Sequence, residues 1–285
     1  MSVVLPSECP LEVADIRDHY DQLSSLYRTL WGEHIHHGFW REGGETAAAA
    51  QVNLTHELAR RATVTDGDHV LDIGCGLGGS SLLLAEEFGC SVEGISISPK
   101  QVLAAQQEAA HRGLESRAVF AVEDANELHA RESRYDVVWT IECSEHLFDK
   151  RRFVSHCENL LKPGGRLAIC AWLAGENLDR KQQDLVEDVC RGMLCPSLAS
   201  MNDYVTWMRA SGLEVISADD VTVNVTRTWD LCRSLLNVPL VKPLLATGSP
   251  RLHAFASSFT SIADAYRTGA MAYGMIVGRK AGVQP

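Results

Sequence analysis

Short apolar segments alternate with amphipathic ones between residues 66 and 172, and this alternation limits the fold more than any other feature. Apolar runs separated by helical patterns of about 10–15 residues are typical of a parallel sheet with helices on both faces. The sequence predicts strands at His69–Ile73, Ser91–Ile95, Ala118–Val122, Tyr135–Thr140 and Arg166–Trp172. It predicts helices at Ser80–Phe88, Pro99–Arg112 and Arg151–Leu161. The expected fold class is therefore α/β.

Residues that start and stop helices lie at the boundaries of these segments. Gly89 and Gly113 occupy positions where a left-handed residue ends a helix. Ser98 and Pro99 form an N-cap followed by proline at the first helical position, and Gln101 is expected to complete a capping box. The run LKPGG, residues 161–165, predicts a turn that releases the fifth strand.

The two flanks extend this core. Residues 1–65 are expected to form an N-terminal helical lid segment, and residues 66–175 the core. Residues 176–285 are expected to add cap helices and closing strands to the same domain. The sequence predicts helices there at Asn177–Gly192, Ser200–Ser211, Trp229–Leu245 and Leu252–Arg267, and strands at Leu213–Thr226 and Ala270–Val277.

Composition argues against several classes of function. A net charge of −11 repels phosphate backbones, which disfavours a nucleic-acid substrate. No apolar run reaches the roughly 20 residues that cross a bilayer, and the N-terminus turns acidic too early for a signal peptide. Nine cysteines without a CxxC pair predict free thiols in a reduced, cytoplasmic protein.

The segment VLDIGCGLGG, residues 70–79, gives the strongest chemical signal. An apolar strand runs into Gly74, Gly76 and Gly78, and glycines let a backbone turn tightly and bring its N–H groups close to a ligand. Dinucleotide-binding proteins share this much. Asp72 on the strand shifts the expectation, because a carboxylate there can bind the ammonium of an amino acid, a group that dinucleotides lack.

The DIGCG loop, Asp124-Ala125 after the third strand and LKPGG before the fifth together resemble class I S-adenosylmethionine-dependent methyltransferases. The resemblance implies a Rossmann-like, seven-stranded sheet of order 3-2-1-4-5-7-6, with the seventh strand antiparallel and helical caps at both termini. It implies S-adenosylmethionine as the cofactor. The residues assigned to cofactor binding are Tyr20, His37, Asp72, Gly74, Cys75, Gly76, Gly78, Ser96, Gln101, Asp124 and Ala125.

Some of these assignments have alternatives. The resemblance implies that Asp124 accepts a hydrogen bond from the adenine amino group and that the Ala125 N–H faces a ring nitrogen; alternatively, Asp124 only shapes a turn. The family commonly has an acidic residue for the ribose at the end of the second strand, where this chain has Ser96. Ser96 and Gln101 are candidates to bind the ribose together, unless Gln101 only caps its helix.

Two further segments narrow the resemblance. WGEHIHHGFW, residues 31–40, and ECSEH, residues 142–146, are similar to the γ-tocopherol methyltransferases and related natural-product methyltransferases. The similarity covers nearly the whole chain and is looser from residue 177 to 197. It implies a small lipophilic acceptor, a phenol, indole or amine, methylated on C, N or O. Alternatives are a sarcosine or dimethylglycine N-methyltransferase, a non-catalytic cofactor-binding protein and a nicotinamide oxidoreductase.

His146 is the candidate general base, because it follows the fourth strand at the sheet edge where α/β folds bind ligands and its ordinary pKa is near neutrality. The alternative is a helix-start residue that bonds locally. Glu142 and Glu145 are candidates to orient it or to bind an ammonium. Aromatic residues are assigned to the acceptor site: Trp31, Phe39, Trp172 and Trp229. Packing as ordinary core is the alternative for Tyr20, Trp31, His37 and Phe39.

No metal is expected. His34, His36 and His37 are closely spaced without a carboxylate triad, so we expect their segment to close over the cofactor as a lid. The apolar stretch from Trp229 to Leu245 is interpreted as a cap helix broken by Pro239 and Pro243. A wall of the acceptor site that touches a membrane peripherally is the alternative. A homodimer through the N-terminal helix is left open.

Overall fold

The computed structural model describes residues 3–4, 11–128, 132–236, 238 and 250–282. The strands are β1 Val3–Val4, β2 His69–Ile73, β3 Ser91–Ser96, β4 Ala118–Val122, β5 Tyr135–Ile141, β6 Leu161–Ala174, β7 Ser197–Leu198, β8 Leu213–Asp220 and β9 Met271–Lys280. The helices are α1 Val13–Leu30, α2 Ala47–Arg61, α3 Gly79–Glu87, α4 Pro99–His111, α5 Lys150–Leu160, α6 Arg180–Met193, α7 Met201–Ala210, α8 Thr222–Val225, α9 Arg227–Leu235 and α10 Pro250–Thr268. Short 3-10 helices lie at Ala125–Glu127 and Ser144–His146.

Seven strands form one sheet in the order β4-β3-β2-β5-β6-β9-β8. The pairs from β4 to β6 are parallel, and β9 is antiparallel to both β6 and β8. Numbered along the chain, this is the predicted order 3-2-1-4-5-7-6 with the seventh strand antiparallel, so the prediction is confirmed. β1 pairs with β7 in a separate two-stranded ribbon.

The sheet lies between two apolar cores, and β6 contacts both. Its residues alternate: Ala168, Cys170 and Trp172 belong to one core, whereas Leu167 and Ile169 belong to the other. Alternation of this kind follows from the two-residue period of a strand. The strand is therefore buried on both faces, and Trp172 emerges on the face that α9 and α10 cover.

Two local predictions are corrected by the structure, and a third falls mostly outside the described residues. The strand predicted from Leu213 to Thr226 ends at Asp220, whose Oδ1 accepts a hydrogen bond from the Thr222 N–H at 2.9 Å and starts α8. The run from residue 161 to 165 is not a free turn; β6 already begins at Leu161, and its pairing with β5 shifts register there. Helix α9 ends at Leu235, and most of the remaining stretch to Leu245 lies outside the described residues.

Helix punctuation is largely confirmed. Gly89 and Gly113 have φ values of 70° and 67°, as expected for left-handed residues after a helix. Ser98 caps α4 by accepting the Gln101 N–H on its Oγ at 3.1 Å. No helix within the described ranges is both long and apolar enough to cross a membrane.

Candidate active site

Two cavities lie side by side at the carboxyl edge of the parallel strands, where open α/β sheets bind ligands. The glycine-loop cavity, of about 910 Å³, is bordered by residues that follow β2, β3, β4 and β5. The aromatic cavity, of about 1110 Å³, lies between the sheet, α1, α9 and α10. Both volumes include the open mouths of the cavities. Five residues line both cavities and form the junction: Tyr20, Ile35, His36, Glu142 and His146.

The glycine loop brings backbone close to the first cavity. Gly74 has φ +80°, and a Cβ added there would meet Cys143 Sγ at 2.5 Å; Gly76 has φ +56° and Ile35 against it. Asp72 is buried, and its Oδ2 accepts a hydrogen bond from Ser81 Oγ at 2.6 Å. Burial raises the pKa of Asp72 to about 7, and the Ser81 hydroxyl opposes that rise. Asp72, Gly74, Cys75 and Gly76 all line this cavity.

Gly78 does not border the glycine-loop cavity, contrary to the assignment from sequence. It is the N-cap of α3 with φ +88°, and a Cβ there would meet Ala105 Cβ on α4 at 2.9 Å. Its lack of a side chain allows the left-handed backbone and the close approach of α3 to α4.

Gln101 lines the cavity with Ser96 and does not complete the predicted capping box. Ser96 Oγ donates to Gln101 Oε1 at 2.8 Å and accepts the Ser98 N–H at 3.1 Å, so the N–H that Gln101 was expected to bind is taken. Gln101 Nε2 is buried without a hydrogen-bond partner. A buried donor of this kind is normally satisfied by a partner, which makes it available to a ligand oxygen.

Asp124 and Ala125 also line the glycine-loop cavity. Asp124 Oδ1 accepts hydrogen bonds from Asn126 N at 2.8 Å and Asn126 Nδ2 at 2.9 Å. The carboxylate therefore caps the short helix Ala125–Glu127 and at the same time borders the cavity. The turn-shaping role and a position beside a ligand are compatible.

His146 presents an acceptor nitrogen, Nε2, at the junction. Its Nδ1 lies 3.0 Å from the Leu194 carbonyl, which can only accept, so Nδ1 bears the proton. Its Nε2 is then an acceptor, and it receives the Tyr20 hydroxyl at 2.8 Å. Leu194 has φ +56° at the end of α6, so a left-handed residue presents this carbonyl. Burial lowers the pKa of His146 to about 4, which leaves the imidazole neutral at pH 7.

Glu142 anchors a buried network at the junction. Its Oε1 accepts hydrogen bonds from His37 N at 2.8 Å, His37 Nδ1 at 3.0 Å and Tyr273 Oη at 2.6 Å. Trp229 Nε1 donates to His37 Nε2 at 2.6 Å. Burial raises the pKa of Glu142, but hydrogen bonds from His37 and Tyr273 lower it, and the net shift is downward. The residue has φ +54°, a strained backbone of a kind that clusters at functional sites.

Two residues do not line the cavity to which the sequence assigned them. His37 lines the aromatic cavity and not the glycine-loop cavity, and both of its ring nitrogens are already engaged. Phe39 lines neither cavity. It is buried in the core, and its N–H donates to the Ala50 carbonyl at 2.7 Å. The aromatic motif on the lid segment could not by itself separate core residues from lining ones.

Glu145 lies only in the aromatic cavity, three residues from Glu142. Its Oε1 accepts the backbone N–H of Trp172. Burial raises the pKa of Glu145 to about 8, partly opposed by that hydrogen bond. The carboxyl is therefore mostly protonated at pH 7.

The aromatic cavity is apolar over most of its surface. Trp172 and Trp229 stack edge to face with ring centroids 5.6 Å apart, and Trp31 lines the cavity while its Nε1 donates to the His36 carbonyl at 3.1 Å. Trp172 Nε1 is buried without a hydrogen-bond partner. Among the described lining residues there is no lysine or arginine. The cavity is also lined by residues that the sequence did not indicate: Leu26, Met193, Cys195, Thr228, Phe255 and Phe259.

The histidines of the lid segment contact one another and the glycine loop. His34 Nδ1 lies 3.1 Å from His36 Nε2, and a Cβ added at Gly79 would meet His34 Nδ1 at 2.9 Å. Burial lowers the pKa of His34 to about 3 and also lowers that of His36. Within the described residues no group of three or more His, Cys, Asp or Glu side chains is arranged to hold a metal ion.

The site therefore combines a glycine loop, a buried acid before that loop and a second, apolar cavity. The family model for mycolic acid cyclopropane synthetase matches residues 9–272. The chain belongs to this family. Tocopherol O-methyltransferase of Arabidopsis thaliana is 32% identical over 284 residues, covering 93% of this chain and 81% of that protein.

Two further proteins are similar to this chain. The 27-O-demethylrifamycin SV methyltransferase of Amycolatopsis mediterranei is 36% identical over 220 residues, covering 75% of this chain and 79% of that one. Mycolic acid cyclopropane synthase CmaA1, solved with SAH and CTAB, superposes with a TM-score of 0.84 at 17% identity, over 96% of this chain and 100% of that chain. The chain described in this structure is thus an S-adenosylmethionine-dependent methyltransferase of small molecules.

The residues of the glycine-loop cavity fit that cofactor. S-adenosylmethionine combines an amino acid with a nucleoside, and the cavity offers a buried carboxyl at Asp72, open glycine backbone at Gly74 and Gly76, and an unsatisfied amide donor at Gln101. A Cβ at Gly74 would collide with Cys143, so the space beside the loop depends on glycine.

Proposed function

We propose that the chain methylates a neutral, lipophilic acceptor that presents a proton-bearing oxygen or nitrogen, a phenol, indole or amine of the natural-product kind. One observation supports this most directly. The aromatic cavity is apolar, has no lysine or arginine in its described lining, and meets the glycine-loop cavity at the His146 Nε2 lone pair. An anionic acceptor would lose its hydration there without gaining a cation.

The residues of the glycine-loop cavity would hold the cofactor, which supplies an activated methyl group on a sulfonium. Asp72 would bind the ammonium of the amino-acid part, and Gly74 and Gly76, which have no side chains, would let the backbone approach it closely. Ser96 and Gln101 would face the ribose, with Gln101 Nε2 donating to a hydroxyl oxygen. Asp124 and Ala125 would border the adenine.

His146 and Tyr20 would remove the acceptor's proton. As the acceptor O–H or N–H bond breaks, the Tyr20 oxygen takes that proton while the Tyr20 hydroxyl proton moves along the 2.8 Å hydrogen bond to His146 Nε2. The electron pair freed on the acceptor forms the new bond to the methyl carbon. The Leu194 carbonyl holds the imidazole in the tautomer that this step requires.

The acceptor would lie between Trp172, Trp229 and the apolar residues of α9 and α10. The unpartnered Trp172 Nε1 supports an acceptor with an oxygen to receive that N–H. The cavity counts against a sarcosine-like amine, which would leave the apolar lining unfilled. The eight cysteines within the described ranges are free thiols, which supports a reduced compartment such as the cytoplasm.

The test uses methyl-labelled S-adenosylmethionine, the purified protein and an extract of the source cells. We expect label in the organic phase. We expect His146→Asn to lower the rate by about 10²–10⁴-fold, the usual contribution of a general base, and Tyr20→Phe to lower it less. His111→Asn, an exposed position on α4, is the matched control and should leave the rate unchanged. Label in the aqueous fraction or in macromolecules would overturn the proposal.

A further inference from the structure

Glu142 is the charged member of the junction. The other four junction residues are Ile35, Tyr20, and the histidines His36 and His146, whose pKa values burial lowers. The Glu142 side chain is only 9% exposed. The hydrogen bonds from His37 N, His37 Nδ1 and Tyr273 Oη all end on one oxygen, Oε1.

The neighbouring histidine does not cancel this charge. Trp229 Nε1 can only donate, and it donates to His37 Nε2, so that nitrogen bears no proton. His37 Nδ1 bears the single ring proton and gives it to Glu142 as a hydrogen bond. His37 is therefore a neutral imidazole. Within the described part of the chain no lysine or arginine forms an ion pair with Glu142.

A buried carboxylate without a cation is unfavourable unless a ligand supplies the positive charge. The strained backbone of Glu142 and its three donors keep the carboxylate fixed at the place where the two cavities meet. A methyl group that passes from a molecule in one cavity to a molecule in the other must cross this junction. The only positive centre adjacent to that methyl group is the sulfonium.

We propose that Glu142 is the counter-charge of the sulfonium, so that the site binds the cationic S-adenosylmethionine in preference to its neutral product S-adenosylhomocysteine. The inference rests on the proposed function in placing methyl transfer at the junction. It makes Glu142 a determinant of cofactor specificity rather than a proton acceptor. The lid residue His37 and the cap residue Trp229 are then the positioning groups that keep its charge intact.

The same carboxylate balances charge after transfer. Before transfer the site pairs Glu142 with the sulfonium, and His146 is neutral. After transfer the sulfonium has become a neutral thioether, and the acceptor's proton has converted His146 into an imidazolium, which Glu142 also favours electrostatically. The buried site thus has no net charge in either state, and the product has lost the group that Glu142 attracts.

The test is a binding measurement without any acceptor. Dissociation constants of S-adenosylmethionine, S-adenosylhomocysteine and sinefungin, which has an ammonium near the position of the sulfonium, are measured by calorimetry. We expect wild type to prefer both cations over the neutral product by about tenfold or more, the lower end of what an adjacent opposite charge does to a titrating group. Glu142→Gln should remove that preference, because the amide oxygen still accepts from His37 and Tyr273 without the charge.

Glu145→Gln is the matched control, since it changes the other acid of the same segment and should leave the preference intact. An unchanged preference in Glu142→Gln would overturn the proposal. If that variant does not fold, the wild-type preference is followed from pH 5 to pH 9. We expect it to be constant, because the hydrogen bonds to Oε1 keep the pKa of Glu142 below this range. A preference that changes severalfold across pH 7 to 8 would overturn the proposal, because Asp72 and Glu145 titrate there.

The titratable groups that interact with Glu142 lie on six segments: His36 and His37 on the lid, Tyr273 on β9, Cys170 on β6, Glu145 and His146 beyond β5, Cys232 on α9 and Tyr266 on α10. The outcome is independent of the acceptor's identity. A wrong acceptor class would leave the binding preference in place, and loss of the preference would leave the methylated product unchanged, so the two proposals fail separately.

Discussion

Two acids of the segment ECSEH have opposite protonation states at neutral pH, although both are buried. Glu142 Oε1 receives three hydrogen bonds, and the net shift of its pKa is downward despite burial. Glu145 receives the Trp172 N–H, which does not offset burial, and its pKa rises to about 8. Pairs of titratable groups driven apart by their surroundings are typical of sites in which one acid stays charged and the other keeps a proton.

Glu145 makes the stability of the protein depend on pH. Its pKa is raised from 4.5 to about 8 in the folded chain, so the folded state binds more protons than the unfolded state within that window. The free energy of unfolding therefore decreases as pH rises from 4.5 to 8. We expect Glu145→Gln to reduce this slope and to be more stable than wild type at pH 8, by on the order of 2 kcal/mol.

Urea denaturation at pH 5 and pH 8 measures this difference. Asp72 titrates in the same direction, with a pKa of about 7, so part of the slope should persist in the variant. Glu115→Gln, at an exposed position, is the control and should leave the slope unchanged. If Glu145→Gln loses the same stability at both pH values, its carboxyl acts only as a hydrogen-bond acceptor for Trp172.

At the scale of secondary-structure elements, the sequence predicts well those features that a few neighbouring residues determine. The cap at Ser98 and the left-handed glycines Gly89 and Gly113 follow from local turn chemistry. The strand order was implied by the resemblance to class I methyltransferases. Gln101 failed as a capping-box residue because Ser96, five residues earlier, takes both its Oε1 and the Ser98 N–H.

Long-range contacts escaped prediction for a different reason. The hydrogen bond from Trp229 to His37 joins residues 192 positions apart. Periodicity shows that a position is apolar or polar, and it does not show which distant element will cover it. Phe39 and His37 lie close together in one motif, and only the packing of α2 and α9 makes one a core residue and the other a cavity residue.

The glycine loop offers a test at the scale of one element. Gly74→Ala would place a Cβ 2.5 Å from Cys143 Sγ and add the strain of φ +80°. Gly113→Ala has a similar φ of +67° with nothing within 4 Å, so it isolates the strain. We expect Gly113→Ala to cost about 1 kcal/mol of stability with normal cofactor binding. Gly74→Ala should cost more and should weaken S-adenosylhomocysteine binding by at least about tenfold.

Calorimetry for binding and chemical denaturation for stability separate these two effects. Combining Gly74→Ala with Cys143→Gly removes the clashing side chain and should restore part of the binding. If the Gly74 and Gly113 variants behave alike, strain alone explains the need for glycine in the loop. The narrow space between the loop and Cys143 would then have no role in holding the cofactor.

For the whole molecule, negatively charged molecules are disfavoured at the acceptor site in two separate ways. The surface has a net charge of −11, which repels anions over distances that salt screens. The aromatic cavity has no lysine or arginine in its described lining, and this acts only on a molecule that has already entered. The two effects can be separated because ionic strength weakens the first and scarcely changes the second.

A matched pair of ligands tests this separation. We expect a long-chain 4-alkylphenol to bind, in the presence of S-adenosylhomocysteine, at least about tenfold more tightly than the 4-hydroxyphenyl alkanoate of equal length, because the buried carboxylate finds no cation. The ratio should persist in 0.5 M salt, roughly three times physiological ionic strength. Leu26 lines the cavity from α1 and is half-buried. Leu26→Lys should reduce the affinity ratio of the two ligands, because a lysine there can place its ammonium at the mouth of the cavity. Leu26→Gln controls for the loss of the apolar side chain. A ratio that disappears in salt would assign the discrimination to the surface of the protein and remove the argument for a neutral acceptor.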